Sequence, residues 1–305
     1  MNTIARKLVL SVLTVVLSVI ALGTTTFAWF TLTNTSVIQP FQAQVIADTG
    51  IEVAIGSTTA DPLTLSWQTT ITAQDIYDYV EVLYPTGFRF DHRTSVDGRN
   101  FKNLEAVDKT DGYLEIPLHF RSDGSTQINW TIVDLESTPK SFTTGVTFTD
   151  SSGQERIAGG TFTVNAADAF RVSVTGITDR NSETNPLNLP STTVYENPAL
   201  DTNTVLGGLT GADLTNGGVG VNGAVNYFYI VTSMLPTGAA SVTTASTVTS
   251  ISETLVLTLE TGQELTAGAN NYGYIVVRVW FEGWDAEAYN SLLSEIITLS
   301  LTFTD

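Results

Sequence analysis

Residues 41–56, FQAQVIADTGIEVAIG, carry the alternation from which the rest of the chain can be read. Phe41, Ala43 and Val45 alternate with Gln42 and Gln44, a period of two that puts apolar side chains on one face of an extended strand. Asp48-Thr49-Gly50 is turn chemistry, and Ile51, Val53 and Ile55 resume the alternation. The stretch therefore predicts a β-hairpin with its apolar face on a core. Comparable segments follow at 113–120 (YLEIPLHF), 127–133 (QINWTIV), 141–148, 161–165, 169–175 (AFRVSVT), 225–234 (VNYFYIVTSM), 246–260, 272–281 (YGYIVVRVWF) and 296–303. Within 272–281 the alternation assigns Tyr274 and Trp280 to the core. Glycine-bearing turns separate these segments at 109–112, 122–124, 151–153 and 260–262.

Two stretches break the strand pattern. Thr72 followed by Asp75 resembles a capping box opening a helix to Leu83, with Ile76, Val80 and Leu83 on one stripe. Asp285 can cap a short helix through Leu293, whose apolar face is Tyr289, Leu292 and Leu293. Residues 178–225, rich in Thr, Asn, Gly and Pro, form a long connection. The expected fold is all-β: a jelly-roll-like antiparallel β-sandwich over 41–305, with long loops and one or two short helices. A small subdomain around 121–168 fits within it.

An N-terminal hydrophobic signal helix precedes that domain. Arg6 and Lys7 are followed by an apolar run, Leu8 to Leu22, and Thr26-Phe27-Ala28 presents small residues at the −3 and −1 positions of a signal-peptidase site. Cleavage between Ala28 and Trp29 removes 1–28 and leaves 277 residues, with 29–40 as an N-terminal extension. The competing expectation is an uncleaved anchor, the only part of the chain expected to touch a membrane. A span needs roughly 20 apolar residues, and Gly23 with three threonines interrupts this one.

The segment after the cut carries 31 Asp and Glu against 11 Lys and Arg, a formal charge of −20. Such a chain repels phosphate backbones and anionic lipid, so no nucleic-acid partner is expected. With no cysteine, an exported protein has no disulfides and must rest on its core. Thr, Val and the aromatics, all abundant, suit strands better than helices, and helix formers at helical spacing are scarce.

Motifs for chemistry are sparse. Gly218-Val219-Gly220-Val221-Asn222-Gly223 fits the spacing of a dinucleotide loop, but a Gly-rich stretch precedes it and a strand-like run follows, so it is expected to be a flexible loop. His92 and His119 are the only histidines, too few for a zinc site without a cluster of carboxylates. His119 is expected on a strand surface, and His92 in a loop network. No G-x-S-x-G elbow occurs, and no enzymatic activity is expected. Leu189-Pro190-Ser191-Thr192-Thr193 and Leu235-Pro236-Thr237-Gly238 are incomplete sortase-like signals and are expected to be turns. Asp91, Asp97, Asp108 and Asp111 lie in loops where calcium, the one cofactor worth weighing, would find oxygen ligands; the 1-3-5-12 spacing is absent and solvated turns are the plainer expectation.

The junction Gly23-Thr24-Thr25-Thr26-Phe27-Ala28-Trp29-Phe30 resembles the signal-peptide ends of the TasA/camelysin group of Firmicutes surface and biofilm-matrix proteins, which a dedicated signal peptidase cuts. The resemblance implies a jelly-roll sandwich that builds extracellular fibres by donating an N-terminal strand to the next copy. Trp29, Phe30, Leu32, Val37, Ile38 and Phe41 would supply the buried side chains of that strand, the partner being the protein itself. At about 1.5–3 kcal/mol per buried large apolar side chain, several anchors together are needed to exceed the cost of ordering. The expected function is thus a secreted structural subunit of a fibre or surface layer. The alternative is a cell-surface carbohydrate-binding module or adhesin that stacks sugars on Trp280, Trp284, Tyr227 and Tyr229.

Overall fold

The computed structural model describes residues 41–48, 50–177, 191–198, 222–261, 271–293 and 295–305. In chain order its strands are β1 (Phe41–Ala47), β2 (Ile51–Ile55), β3 (Thr70–Ile71), β4 (His92–Ser95), β5 (Phe101–Lys102), β6 (Asp108–Lys109), β7 (Leu114–Ser122), β8 (Gln127–Ser137), β9 (Lys140–Thr143), β10 (Phe148–Thr149), β11 (Glu155–Arg156), β12 (Thr161–Val164), β13 (Phe170–Ile177), β14 (Thr192–Glu196), β15 (Thr254–Thr258), β16 (Asn271–Glu282) and β17 (Ile297–Thr304). The helices are α1 (Ala73–Leu83), α2 (Ala166–Ala169) and α3 (Gly223–Thr232).

One sheet has the order β15-β8-β17-β1-β3. In the other, β16 pairs with β13, which carries β14, and on its far side with β7 and β4; β7 carries β2, and β4 leads to β5 and β6. The pairings are antiparallel except β1 with β17 and β4 with β16. This is the expected all-β sandwich, and its core follows from period-two alternation. From the first sheet come Val45, Trp130, Leu135, Leu299, Leu301 and Phe303; from the second, Leu118, Phe120, Val172, Val174, Val277 and Phe281. Each is buried, and a fully buried side chain of this size contributes about 1.5–3 kcal/mol.

The expected hairpin over 41–56 does not form. β1 enters the first sheet, paired with β17 from Phe41↔Ile297 to Ala47↔Phe303, while β2 pairs with β7 in the second. Asp48 donates its N–H to Phe303 O and accepts from Ile51 N, and Gly50, at φ +94°, turns the chain from one sheet to the other. Both strands have an apolar face toward one core, so alternation alone cannot say whether they lie side by side or opposite.

Helix α1 has the capping box its sequence announces. Thr72 Oγ1 accepts from Asp75 N and the Asp75 carboxylate accepts from Thr72 N; Ile76 and Val80 are buried, while Leu83 is exposed. The expected strand at 225–234 is helix as far as Thr232: Asn222 caps α3 by accepting from Val225 N, and Ser233 closes it in the left-handed conformation. A helix with little polar surface reads like a strand by propensity. The expected helix from Asp285 is a series of turns with one 3-10 turn, Asn290–Leu292, although Asp285 Oδ1 does accept from Glu287 N as a cap would. The run 246–260 contributes only Thr254–Thr258, and 141–148 splits into β9 and β10, which make two small ribbons with β12 and β11. Among the described residues no helix is long and apolar enough to cross a membrane.

Candidate assembly edge and buried charge cluster

β1 is where the described chain begins, and one of its edges is half covered. Along the side facing β17 it is paired throughout. On the other side β3 meets only Val45 and Ile46, so among the described residues Phe41–Gln44 have no strand partner there. Ala43, Val45 and Ala47 are buried, and Gln42 and Gln44 are exposed beside the open edge. Such an edge presents unpaired backbone N–H and C=O groups, the template on which another strand adds.

A second feature lies on the face of β16 turned away from the sandwich core. β16 is buried along its whole length, so its alternate residues Tyr274, Val276, Arg278, Trp280 and Glu282 fill a separate layer. His119, expected on a surface, is fully buried here. It pairs across the sheet with Tyr274, bonds Tyr272 OH through Nδ1 at 2.6 Å, and lies 3.1 Å from Ser57 O through Nε2. Ser57 O can only accept, so Nε2 carries the proton and Nδ1 accepts from the tyrosine. Signals for this were the tyrosines two apart at 272 and 274 opposite the histidine. Arg278 donates to Glu115 at 2.7 Å.

At the end of this layer a charge cluster joins three chain segments. Arg171 of β13 donates through Nε to Glu196 of β14 at 2.7 Å and through Nη2 to Asp285 at 2.6 Å. Its Nη1 donates to the carbonyls of Asp168 and Phe170. Burial opposes its charge, but the Asp285, Glu196 and Glu282 carboxylates outweigh this and hold it protonated more firmly than usual. Glu282, also fully buried, accepts from the Trp280 indole N–H at 3.0 Å and from Trp284 N at 3.3 Å. Burial pushes its carboxyl up to about 7, against the pull of these donors and of Arg171. Asp168 is raised for the same first reason, burial, with the charge of Asp285 adding to it. Sequence reasoning missed this cluster. Arg171 and Glu282 sat at alternate positions of apparently apolar strands, the signature of a strand buried on both faces.

Of the residues expected to act in assembly, Phe41 begins β1, and its backbone pairs with Ile297. Trp29, Phe30, Leu32, Val37 and Ile38, and the cleavage pair Ala28 and Trp29, lie outside the described residues. The aromatic platform is not assembled on one surface. Trp280 and Trp284 are buried, and half-buried Tyr227 packs among Phe142, Phe148 and Tyr289. Asp91 and Asp111 both bind the buried Arg93, and Asp97 accepts from Arg99 N and Asn100 N in its own turn. Of the glycine-rich motif, Asn222 and Gly223 are described. A helix follows them, contrary to expectation, but its first N–H groups are engaged: Gly223 N donates to Ser151 Oγ and Ala224 N to Ala286 O. Among the described residues no group of three or more His, Cys, Asp or Glu could hold a metal ion.

The chain matches no known protein-family profile, no curated protein and no solved structure.

Proposed function

We propose that this chain is a secreted structural protein, a subunit of an extracellular fibre or surface layer, in which residues 29–40 of one copy pair as a strand on the next. The observation that carries this reading is the edge of β1 at Phe41–Gln44, open beside the point where the extension joins the fold. A strand added there gains backbone hydrogen bonds along a sheet edge, and alternate apolar residues of the extension give it side chains to bury. The signal-like N-terminus and the excess of acids suit an exported protein that stays soluble until it assembles.

Because the chain has no cysteine, single thiols report strand contacts cleanly. Cysteines scanned over Leu32–Ile38 in one preparation are mixed with a Gln42→Cys or Gln44→Cys preparation and oxidised. The proposal expects mixed disulfides at alternate positions of the extension. Assemblies without any mixed disulfide would contradict it.

A further inference from the structure

The segment that follows β16 ties together parts of the molecule far apart in sequence. Asn222 Nδ2 donates to Trp284 O, Ala224 N donates to Ala286 O at 2.9 Å, and Ser151 Oγ donates to the same carbonyl at 3.3 Å. Trp284 packs with Val225 of α3 and with Ala239 and Val242. Helix α3 and residues 235–242 are thus fastened to the sheet through Trp284–Ala286, and Trp284 N is in turn held by Glu282. Among the described residues the only cation bonded into the cluster is Arg171, already shared between Glu196 and Asp285. The guanidinium of Arg93, on neighbouring β4, is occupied by Asp91 and Asp111. Around Glu282 stand Arg171 from β13, the Thr94 hydroxyl from β4, and Trp280 and Trp284. Glu196 from β14 and Asp285 from the following turn share the same arginine, and Asp168 of α2 is near Asp285 and Glu287. Carboxylates outnumber cations in a buried space, so one of them is held most easily as the neutral acid.

We propose that this cluster is a proton-operated latch, in which Glu282 carrying a proton locks the Gly283–Tyr289 turn and helix α3 onto the sheet, and losing the proton loosens them. The neutral carboxyl needs no counter-ion and still accepts from Trp280 and Trp284. The carboxylate is a buried charge, and Arg171, the cation that acts on it, already serves two other carboxylates. The direction of regulation follows: the latch is shut in mildly acidic surroundings and slackens as pH rises through neutrality.

The test is hydrogen exchange of the α3 amides in the full chain between pH 5 and pH 9, corrected for intrinsic rates. A carboxyl at about 7 in the closed state and near 4.5 when released corresponds to an opening equilibrium about 75-fold larger at pH 9 than at pH 5. Glu282→Gln, which keeps an acceptor and has no charge, is expected to reduce that change to less than about 3-fold. Wild-type protection independent of pH, or an undiminished change in Glu282→Gln, overturns the proposal. Should that variant not fold, carbon-13 titration of the glutamate carboxyls in the unmodified protein decides. One of them moving with a midpoint near 7 supports the latch, and all of them titrating below pH 5.5 overturns it.

Discussion

Gly176 gives the most exposed test of how the two sheets meet. It lies in β13 under β15, and a Cβ built there would stand 1.7 Å from Val256 O, 2.9 Å from Val256 C and 3.1 Å from Leu257 Cα. These are backbone atoms, so no rotamer change relieves the clash; β15 must lift by about 1.5 Å to restore ordinary contact. β15 carries Leu257 into the core, with Leu259 just beyond it, both buried. Overpacking alone costs about 1–3 kcal/mol, and partial exposure of these leucines adds to it, so Gly176→Ala is expected to destabilise by about 3 kcal/mol. For a domain of this size that is a fall in Tm of about 6–12 °C. Urea unfolding followed by tryptophan fluorescence at pH 6 measures it, with Gly145→Ala as the control, since a Cβ there meets nothing within 4 Å. A loss for Gly176→Ala no larger than for Gly145→Ala would refute the close crossing of β13 and β15.

Two further outcomes follow from local chemistry. Thr72→Ala removes the cap of α1 and is expected to cost about 1 kcal/mol in the same urea assay, with Thr72→Ser close to wild type. Stability is also expected to fall in acid. For Asp91, Asp97 and Asp150 burial works to raise the carboxyl, but hydrogen bonds and the arginines beside Asp91 and Asp150 outweigh it, holding all three below the usual 3.8. A lowered carboxyl stabilises the fold above its unfolded value and ceases to as pH drops through the folded one. Thermal scans should therefore show Tm decreasing from pH 5 toward pH 2. A flat profile there would contradict these hydrogen bonds and ion pairs.

How much of this was legible in the sequence depended on whether the signal was local. Thr72 and Asp75 are three apart and specify a helix start by themselves, so α1 was readable to its first residue. Period two marked most of the strands, and the alternation in 272–281 placed Tyr274 and Trp280 inside. Pairing was not legible. Nothing in 41–47 encodes that its neighbour is the C-terminal strand 297–304, because either partner satisfies the same buried face. Nor was the Arg171 cluster, whose members at 171, 196, 282 and 285 become neighbours only when three segments meet. The helix at 223–232 was hidden by its composition: Val225, Tyr227, Phe228, Tyr229 and Ile230 favour strands, and burial of its first turns against Ser151 and Trp284 overrides that preference.

Electron microscopy of two purified forms at neutral pH, one beginning at Trp29 and one at Phe41, bears most directly on assembly. The account predicts regular filaments or sheets from the longer form and dispersed single particles from the shorter one. Ordered assemblies from the form that begins at Phe41 would contradict it.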